Sequence, residues 1–337
     1  MESIDINQAK HHFLKEHVKA ENLFIEALPS DASMRTYERL SFSDRSLLLM
    51  DSHKEIESIA PFIQINEMLA KKGFSVPEII AKDTKHGFLL LEDFGNDTYT
   101  KLLEGNSNTD LEHDLYLKAV DVLIKLHREK FTTKLPEYDE NLLMKEVTLL
   151  IDWYFPISNN EPLSDKLRAE YIDIWKEILS RLSYTSSCFV LRDYHVDNLM
   201  LLKHRTGIKS VGLLDFQDAV RGSYAYDLVS LLEDARRDVG HDLANNMLHH
   251  YLDNMSELDK QKFLTDYSIL GVQRSCKIVG IFSRKTIRDK NNKYLIHLPR
   301  LWKYIKHGIN TPIMKPLKSW LLKMDLPLIR SDTAGFD

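Results

Sequence analysis

Asp193, Asp197 and Asn198 stand inside the stretch FVLRDYHVDNLMLL (189–202), crowded between two apolar runs, and Asp215 follows in GLLDFQDA, 17 residues beyond Asn198. An amide oxygen and a carboxylate at one place make a hard, oxygen-rich donor set. Such a set suits Mg2+, which keeps several waters and takes further ligands from phosphates. A second carboxylate, Asp193, can accept or orient the proton of an attacking hydroxyl. Metal ligands for phosphates and an acceptor for the nucleophile's proton are the parts that phosphoryl transfer to an alcohol needs. Asp193 and Asp197 taken singly could cap turns. Their joint occurrence with Asn198, Asp215 and Asp218 is more than capping requires. His195 invites a metal-ligand reading, yet no His or Cys partner stands at zinc spacing, so it reads as a hydrogen-bonded structural histidine.

These residues need elements to bring them together. The segment LMLLKHRTGIKSVGLL predicts a β-hairpin with its turn at 203–209, which places Asn198 and Asp215 at its open end. Upstream, 22–28, 34–42 and 45–52 are short, apolar or alternating, and separated by the turn signals PSDAS and SDR. Residues 55–72 predict a helix with Ile59, Phe62, Ile63, Leu69 and Ala70 on one stripe and Gly73 as its stop. VPEIIAKD and GFLLLEDF predict a further hairpin. The order β-β-β-α-β-β is a small antiparallel sheet with one helix. Beyond Gly95 helical spacing dominates, at 114–127, 140–155 and 165–183 and again from Tyr224 with the stripe Leu228, Leu231, Leu232, Ala235. The fold class is therefore α+β and bilobal: a sheet-rich lobe at 1–94 for a nucleotide, and a mostly helical lobe at 95–337 for catalysis and substrate. Pockets favour such junctions.

A chain of 337 residues is long enough for a sizeable core, and 43% hydrophobic with 28% charged residues is ordinary globular composition. Forty-five basic against 50 acidic residues, a net charge of −5, argues against a protein that coats nucleic acid. From Arg284 to Lys318 ten Lys/Arg face one acid, Asp289. That run reads either as a solvated face or as an attraction for an anionic substrate. Cys188 and Cys276 sit in apolar surroundings without a CxxC spacing, the pattern of buried free thiols in a reducing compartment. No apolar stretch is long enough for a membrane span or a secretory signal, so a cytoplasmic protein is expected.

LRDYHVDNL followed by LLDFQDA is similar to the H-x-D-x-x-x-x-N and D-F-G pairing of protein kinases. It resembles more closely the aminoglycoside/choline phosphotransferase branch, where D-x-H-x-x-N is frequent, as in Asp193 to Asn198. SDASMRTYERL, GFLLLEDFG, LLDFQDAVRGSYAYDLVSLLEDARRDV, GVQRSCKIVGIFSR and YLIHLPR further resemble one subgroup, over roughly residues 25–310. That subgroup is the anomeric sugar kinases acting on N-acetylmuramate and N-acetylglucosamine in bacterial cell-wall recycling. The resemblance implies a protein-kinase-like fold and use of ATP and Mg2+. It makes Asp193 the catalytic carboxylate, Asn198 and Asp215 the magnesium ligands, and Asp227 the support of the catalytic loop. Glu92, Asp93 and Phe94 become the hinge whose backbone reads the adenine edge, and PSDASMR, with Ser33 and Arg35, the loop over the triphosphate. Two departures stand out. Leu191 occupies a position where kinases carry a bracing histidine. Met50 falls near the usual strand lysine, leaving Arg35, or Lys54, to supply that charge. The phosphate loop also lacks a Gly-x-Gly-x-x-Gly pattern. Glu67 either pairs with Arg35, as kinases pair a glutamate with a lysine, or is an exposed helical residue.

Three functions compete at this level. The first is an ATP-dependent kinase for the anomeric hydroxyl of an N-acetylated amino sugar, a small-molecule acceptor that Arg274 and Lys277 would face unless they lie on a helix surface. The second is an aminoglycoside or amino-alcohol phosphotransferase, whose polycationic acceptors call for an acidic cleft. The third is a nucleotide-binding scaffold without turnover, motivated by the missing strand lysine and loop glycines.

Overall fold

A computed structural model describes residues 6–18, 23–29, 34–43, 45–105, 108–131, 134–159, 161–183 and 187–324. Along the chain α1 (Ile6–His17) precedes β1 (Phe24–Ala27), β2 (Thr36–Ser41), β3 (Ser46–Asp51), α2 (Ile59–Lys71), β4 (Ile79–Asp83) and β5 (Phe88–Glu92). Then come α3 (Tyr99–Leu103), α4 (Thr109–Arg128), α5 (Glu140–Val147), a single π-helical turn (Leu150–Tyr154), α6 (Phe155–Asn159) and α7 (Asp165–Leu179). β6 (Cys188–Val190), β7 (Leu199–Leu201), β8 (Val211–Leu213) and β9 (Val220–Gly222) follow. The chain continues with α8 (Tyr226–Leu232), α9 (His241–Asn254), α10 (Lys260–Asp289), α11 (Leu298–Gly308) and α12 (Lys315–Lys323). Two compact units form. One takes the described residues up to Val122 together with Val196–Ala219; the other takes Leu123–His195 and the described residues from Val220 onward. The β7–β8 hairpin and the first part of α4 belong with the sheet in the first unit.

In the first unit the strands form one antiparallel sheet in the order β1-β2-β3-β5-β4. Alternation sets its faces: Leu40, Leu49, Phe88 and Leu90 point the same way and bury against Phe13 of α1. The sequence reading had no helix ahead of β1. Ile6, Ala9, Phe13 and Leu14 make the apolar stripe of α1, of which only Phe13 is fully buried while the others are partly covered against the same core. The stripe of α2 also differs from expectation. Ile59, Phe62, Ile65, Asn66 and Leu69 are buried, while Ala70 is exposed and Ile63 only partly covered. The buried Asn66 is satisfied, since its side-chain amide donates to the Pro77 carbonyl at 2.8 Å.

In the second unit α10 is the axis. Asp259 caps it, accepting from the N–H groups of Gln261 and Lys262 at 3.0 and 3.1 Å. The helix packs against α5, α8, α11 and the 150–154 turn. The last contact depends on Gly280, where a Cβ would lie 2.3 Å from the Leu149 carbonyl carbon. α8 is buried on every side, as its expected stripe of Leu228, Leu231 and Leu232 implied in part. The expected 140–155 helix is interrupted at the π-turn, and the strand-like run 188–202 is two strands separated by a loop at 191–198. β9 pairs with β6 and had no counterpart in the sequence reading. Both cysteines are free and buried. Among the described residues no helix is long and apolar enough to cross a membrane.

Candidate active site

The predicted hairpin is present. Leu199 faces Leu213 and Leu201 faces Val211, and the Leu214 N–H donates to the Asn198 carbonyl at 3.0 Å. Asn198 and Asp215 therefore leave the same end of one ribbon. Asp215 has a left-handed backbone, φ 56°, a conformation that costs energy for a residue with a Cβ and collects at functional sites. Its carboxylate is exposed, and the Gln217 side-chain amide donates to its Oδ1 at 2.8 Å. The same amide reaches Asp218 Oδ2 at 3.3 Å, which makes exposed Asp218 a neighbour of Asp215. Among the described residues no three His, Cys, Asp or Glu side chains gather into a metal cluster. One carboxylate with one amide instead fits an ion that draws its other ligands from phosphates and water.

In the same unit Asp215 opens onto a cavity of about 320 Å3, walled by Tyr37, Leu48, Leu91, Phe94, Met200 and Leu214. Mostly apolar walls with a few polar groups suit a planar heterocycle. Glu92, Asp93 and Phe94 all line it. The Asp93 carboxylate is itself engaged: it accepts from Arg39 Nε at 2.6 Å, Ser46 Oγ at 2.7 Å and the Gly95 N–H at 2.9 Å. Burial works to raise that carboxyl, and these bonds outweigh it and hold it below its ordinary value. Glu92 is tied by an ion pair to Arg205, whose guanidinium lies 5.4 Å from the centre of the Phe94 ring. With both carboxylates engaged, what Glu92 and Asp93 can offer a ligand is backbone, while Phe94 also presents its ring.

Arg35 is buried, with Nε 3.8 Å from Glu55 Oε2. It also hydrogen-bonds Tyr37. Burial raises that phenol most, Arg35 lowers it and Asp215 raises it, so the Arg35 and Asp215 charges both bear on the ring. Met50 is fully buried and Lys54 is exposed, while Arg39 lines the cavity with its guanidinium bound to Asp93. Glu67 is exposed and pairs with Lys82 at 3.8 Å, not with Arg35. Ser33 lies outside the described residues.

Asp193 belongs to the second unit. The loop before it is clamped by Asp227, which is fully buried on α8 and accepts from the Leu191 N–H at 2.6 Å and the Arg192 N–H at 2.9 Å. Burial pushes the Asp227 carboxyl up to about 7, the two N–H bonds pull it down, and the Asp193 charge adds to the rise. Asp193 itself is held below its ordinary value. Burial would raise it, and the charges of Lys277, His195, Arg274 and Arg192 together outweigh that. Arg274 and Lys277 are not on a helix surface: both are buried in the middle of α10, facing Asp193. Lys277 Nζ lies 2.8 Å from Glu146 Oε1 and donates to the Tyr226 hydroxyl at 3.3 Å. His195 is buried, with Nε2 3.5 Å from Arg236 Nη1.

Glu146 was missed by sequence reasoning, although its signal is visible in NLLMKEVTLL. With Leu143, Val147 and Leu150 it falls on one helical stripe, and those three are buried. Gln217 and Tyr37 were missed as well, and nothing in their local pattern marks them.

Residues 25–260 match the phosphotransferase enzyme family, APH, and the chain belongs to that family. The N-acetylmuramate/N-acetylglucosamine kinase of Caulobacter vibrioides is 32% identical to it, over 88% of this chain and 90% of the relative. The protein of the same name from Pseudomonas aeruginosa is 35% identical over 83% and 82%. Among solved structures the streptomycin–ATP–APH(2'')-IIa ternary complex superimposes with a TM-score of 0.58 at 15% identity, covering 93% of this chain and 98% of that one. The fold is thus the bilobal, kinase-like one.

Proposed function

We propose that this chain is an ATP-dependent kinase that phosphorylates the anomeric hydroxyl of N-acetylmuramate, N-acetylglucosamine or both, as a step of cell-wall recycling. The observation that carries this reading is the identity of about one third with kinases of that name, spread over more than four fifths of each partner. In this reading residues 1–94 form the nucleotide-binding lobe and 95–337 carry catalysis and acceptor recognition. The adenine occupies the apolar cavity and is read by the backbone of Glu92 to Phe94. Asn198 and Asp215 hold Mg2+, and the ion when bound neutralises charge on the phosphates. Arg35 supplies the cation that the third strand lacks, beside a phosphate loop that includes Ser33. Asp193, held ionised by its cationic neighbours, orients the sugar hydroxyl and receives its proton. His195 and Asp227 hold the loop in shape, Asp218 shares Gln217 with Asp215, and Arg274 and Lys277 face the acceptor. Nucleotide use and two buried free thiols accord with a cytoplasmic site of action.

The test is a screen of free sugars, aminoglycosides and choline at saturating Mg·ATP, with products read by phosphorus NMR. A C1 phosphate on an N-acetylated amino sugar is expected. ADP released only with aminoglycosides or choline overturns the assignment of the acceptor, and ATP binding without any transfer overturns the enzyme.

A further inference from the structure

We infer that Glu146 is a positioning residue for phosphate transfer, fixing Arg192 and Lys277 beside Asp193; this rests on the kinase reading of Asp193. Glu146 projects from α5 into the core of the second unit and is 6% exposed. Its Oε1 meets Arg192 Nη2 at 2.5 Å and Lys277 Nζ at 2.8 Å. Its Oε2 accepts from the Tyr138 hydroxyl and, at 3.4 Å, from the Gln273 amide. One carboxylate thus ties the segment before α5, the loop before Asp193 and the middle of α10. A buried carboxylate that satisfies two cations is costly to remove, because both cations are then left without their counter-charge.

Arg192 makes the tie specific. It has φ 72°, a strained left-handed conformation for a residue with a side chain, and it immediately precedes Asp193. It is held at both ends: the backbone N–H by Asp227 and the guanidinium by Glu146. Those two bonds set the direction in which the chain leaves Arg192 and enters Asp193. Lys277, the second cation on Glu146, carries the largest of the charge effects on Asp193. α10 brings Gly271, Arg274 and Lys277 along one face at three-residue spacing. Gly271 leaves room for the Glu233 carboxylate, which a Cβ there would approach to 2.9 Å. Glu146 lies outside the nucleotide cavity's walls.

The experiment compares Glu146→Gln, Lys277→Met, the double variant and Lys277→Arg, with kcat and both KM values measured. Expected are a loss of about ten-fold or more in kcat for Glu146→Gln with the ATP KM within about two-fold, and a double variant that loses at least about ten-fold less than the product of the single losses. Multiplicative losses, or an effect confined to KM for ATP, overturn the inference. Should thermal melts show Glu146→Gln unfolded, the Lys277 pair decides. Arg retaining most of kcat while Met does not supports the inference, and equal losses refute it. Wild-type transfer to the two sugars reports on the kinase reading by itself. Backbone amide shifts of Arg192 and Asp193 in folded Glu146→Gln, read by NMR, report on the clamp without turnover, and unmoved shifts sink the inference even if the wild type is active.

Discussion

Asp193 stays charged in a half-buried place because four cationic or protonatable neighbours surround it, and the one residue before it is pinned through backbone and side chain alike. A carboxylate held below its ordinary value is a poor proton store at neutral pH. In the proposed reaction it aims a hydroxyl and takes its proton as the bond to phosphorus forms. Asp193→Asn keeps the size and removes the charge, so kcat should fall by roughly two to four decades, the scale of a lost general base. Nucleotide binding, measured by thermal shift with Mg·ATP, should persist. A variant within ten-fold of wild type would show that another group takes the proton. Asp215→Ala should separate from it: the Mg·ATP-induced shift itself should vanish, whichever acceptor is supplied. If that shift survives, Asp215 does not hold the ion.

Elements explain which of these residues could be read in advance. The β7–β8 hairpin was legible because apolar runs flank a polar turn, and it alone puts Asn198 and Asp215 at one end. The sheet was legible from short strands bounded by turn signals, the Leu-rich β3 and β5 being uninterrupted apolar runs. α1 was missed although Ile6, Ala9, Phe13 and Leu14 recur at helical spacing, its stripe being short and mostly half-covered, and β9 is only three residues long. Burial of Arg274 and Lys277 was hidden more deeply. Polar residues mid-helix look like a surface until the partners, Glu146 and Asp193, are known to lie on other elements. Gly212 in β8 shows how an element controls the cavity. A Cβ there would meet the Phe94 ring at 2.8 Å and Met200 Cβ at 3.1 Å, both of which wall the cavity onto which Asp215 opens, the one proposed to take the adenine. Gly212→Ala should push the Phe94 ring inward and raise the Kd for ATP about ten-fold, or ~1.4 kcal/mol. The KM for the sugar should stay put, and calorimetric titration of both ligands checks this. An unchanged ATP affinity would mean that Phe94 moves aside freely.

At the scale of the molecule the buried titratable groups pull against each other as pH falls. His127, on α4 and 5% exposed, bonds through Nδ1 to the Tyr251 hydroxyl at 2.6 Å, and burial pushes it from 6.5 down to about 3. Below its ordinary value the unfolded chain binds a proton that the folded one refuses. Stability from this group is therefore whole at neutral pH and shrinks between 6.5 and about 3, by roughly 1.4 kcal/mol per unit of pH. Asp227 and Glu233, each raised to about 7 first of all by burial, act with the opposite sign. They gain stability as pH falls through 7 because the folded state takes the proton first. Asp93, held low, loses its contribution only below the ordinary carboxylate range. A bare pH–stability curve of the wild type mixes these signs, so the decisive quantity is a difference. His127→Phe removes one titration and leaves the rest. All four tryptophans lie in the unit that holds His127, which makes their fluorescence the probe of its unfolding in urea. The stability gap between wild type and variant should narrow by about 1.4 kcal/mol per unit from pH 6 to pH 4.5. A constant gap would mean that the imidazole accepts a proton where it stands, and that the ring is hydrated in the folded chain.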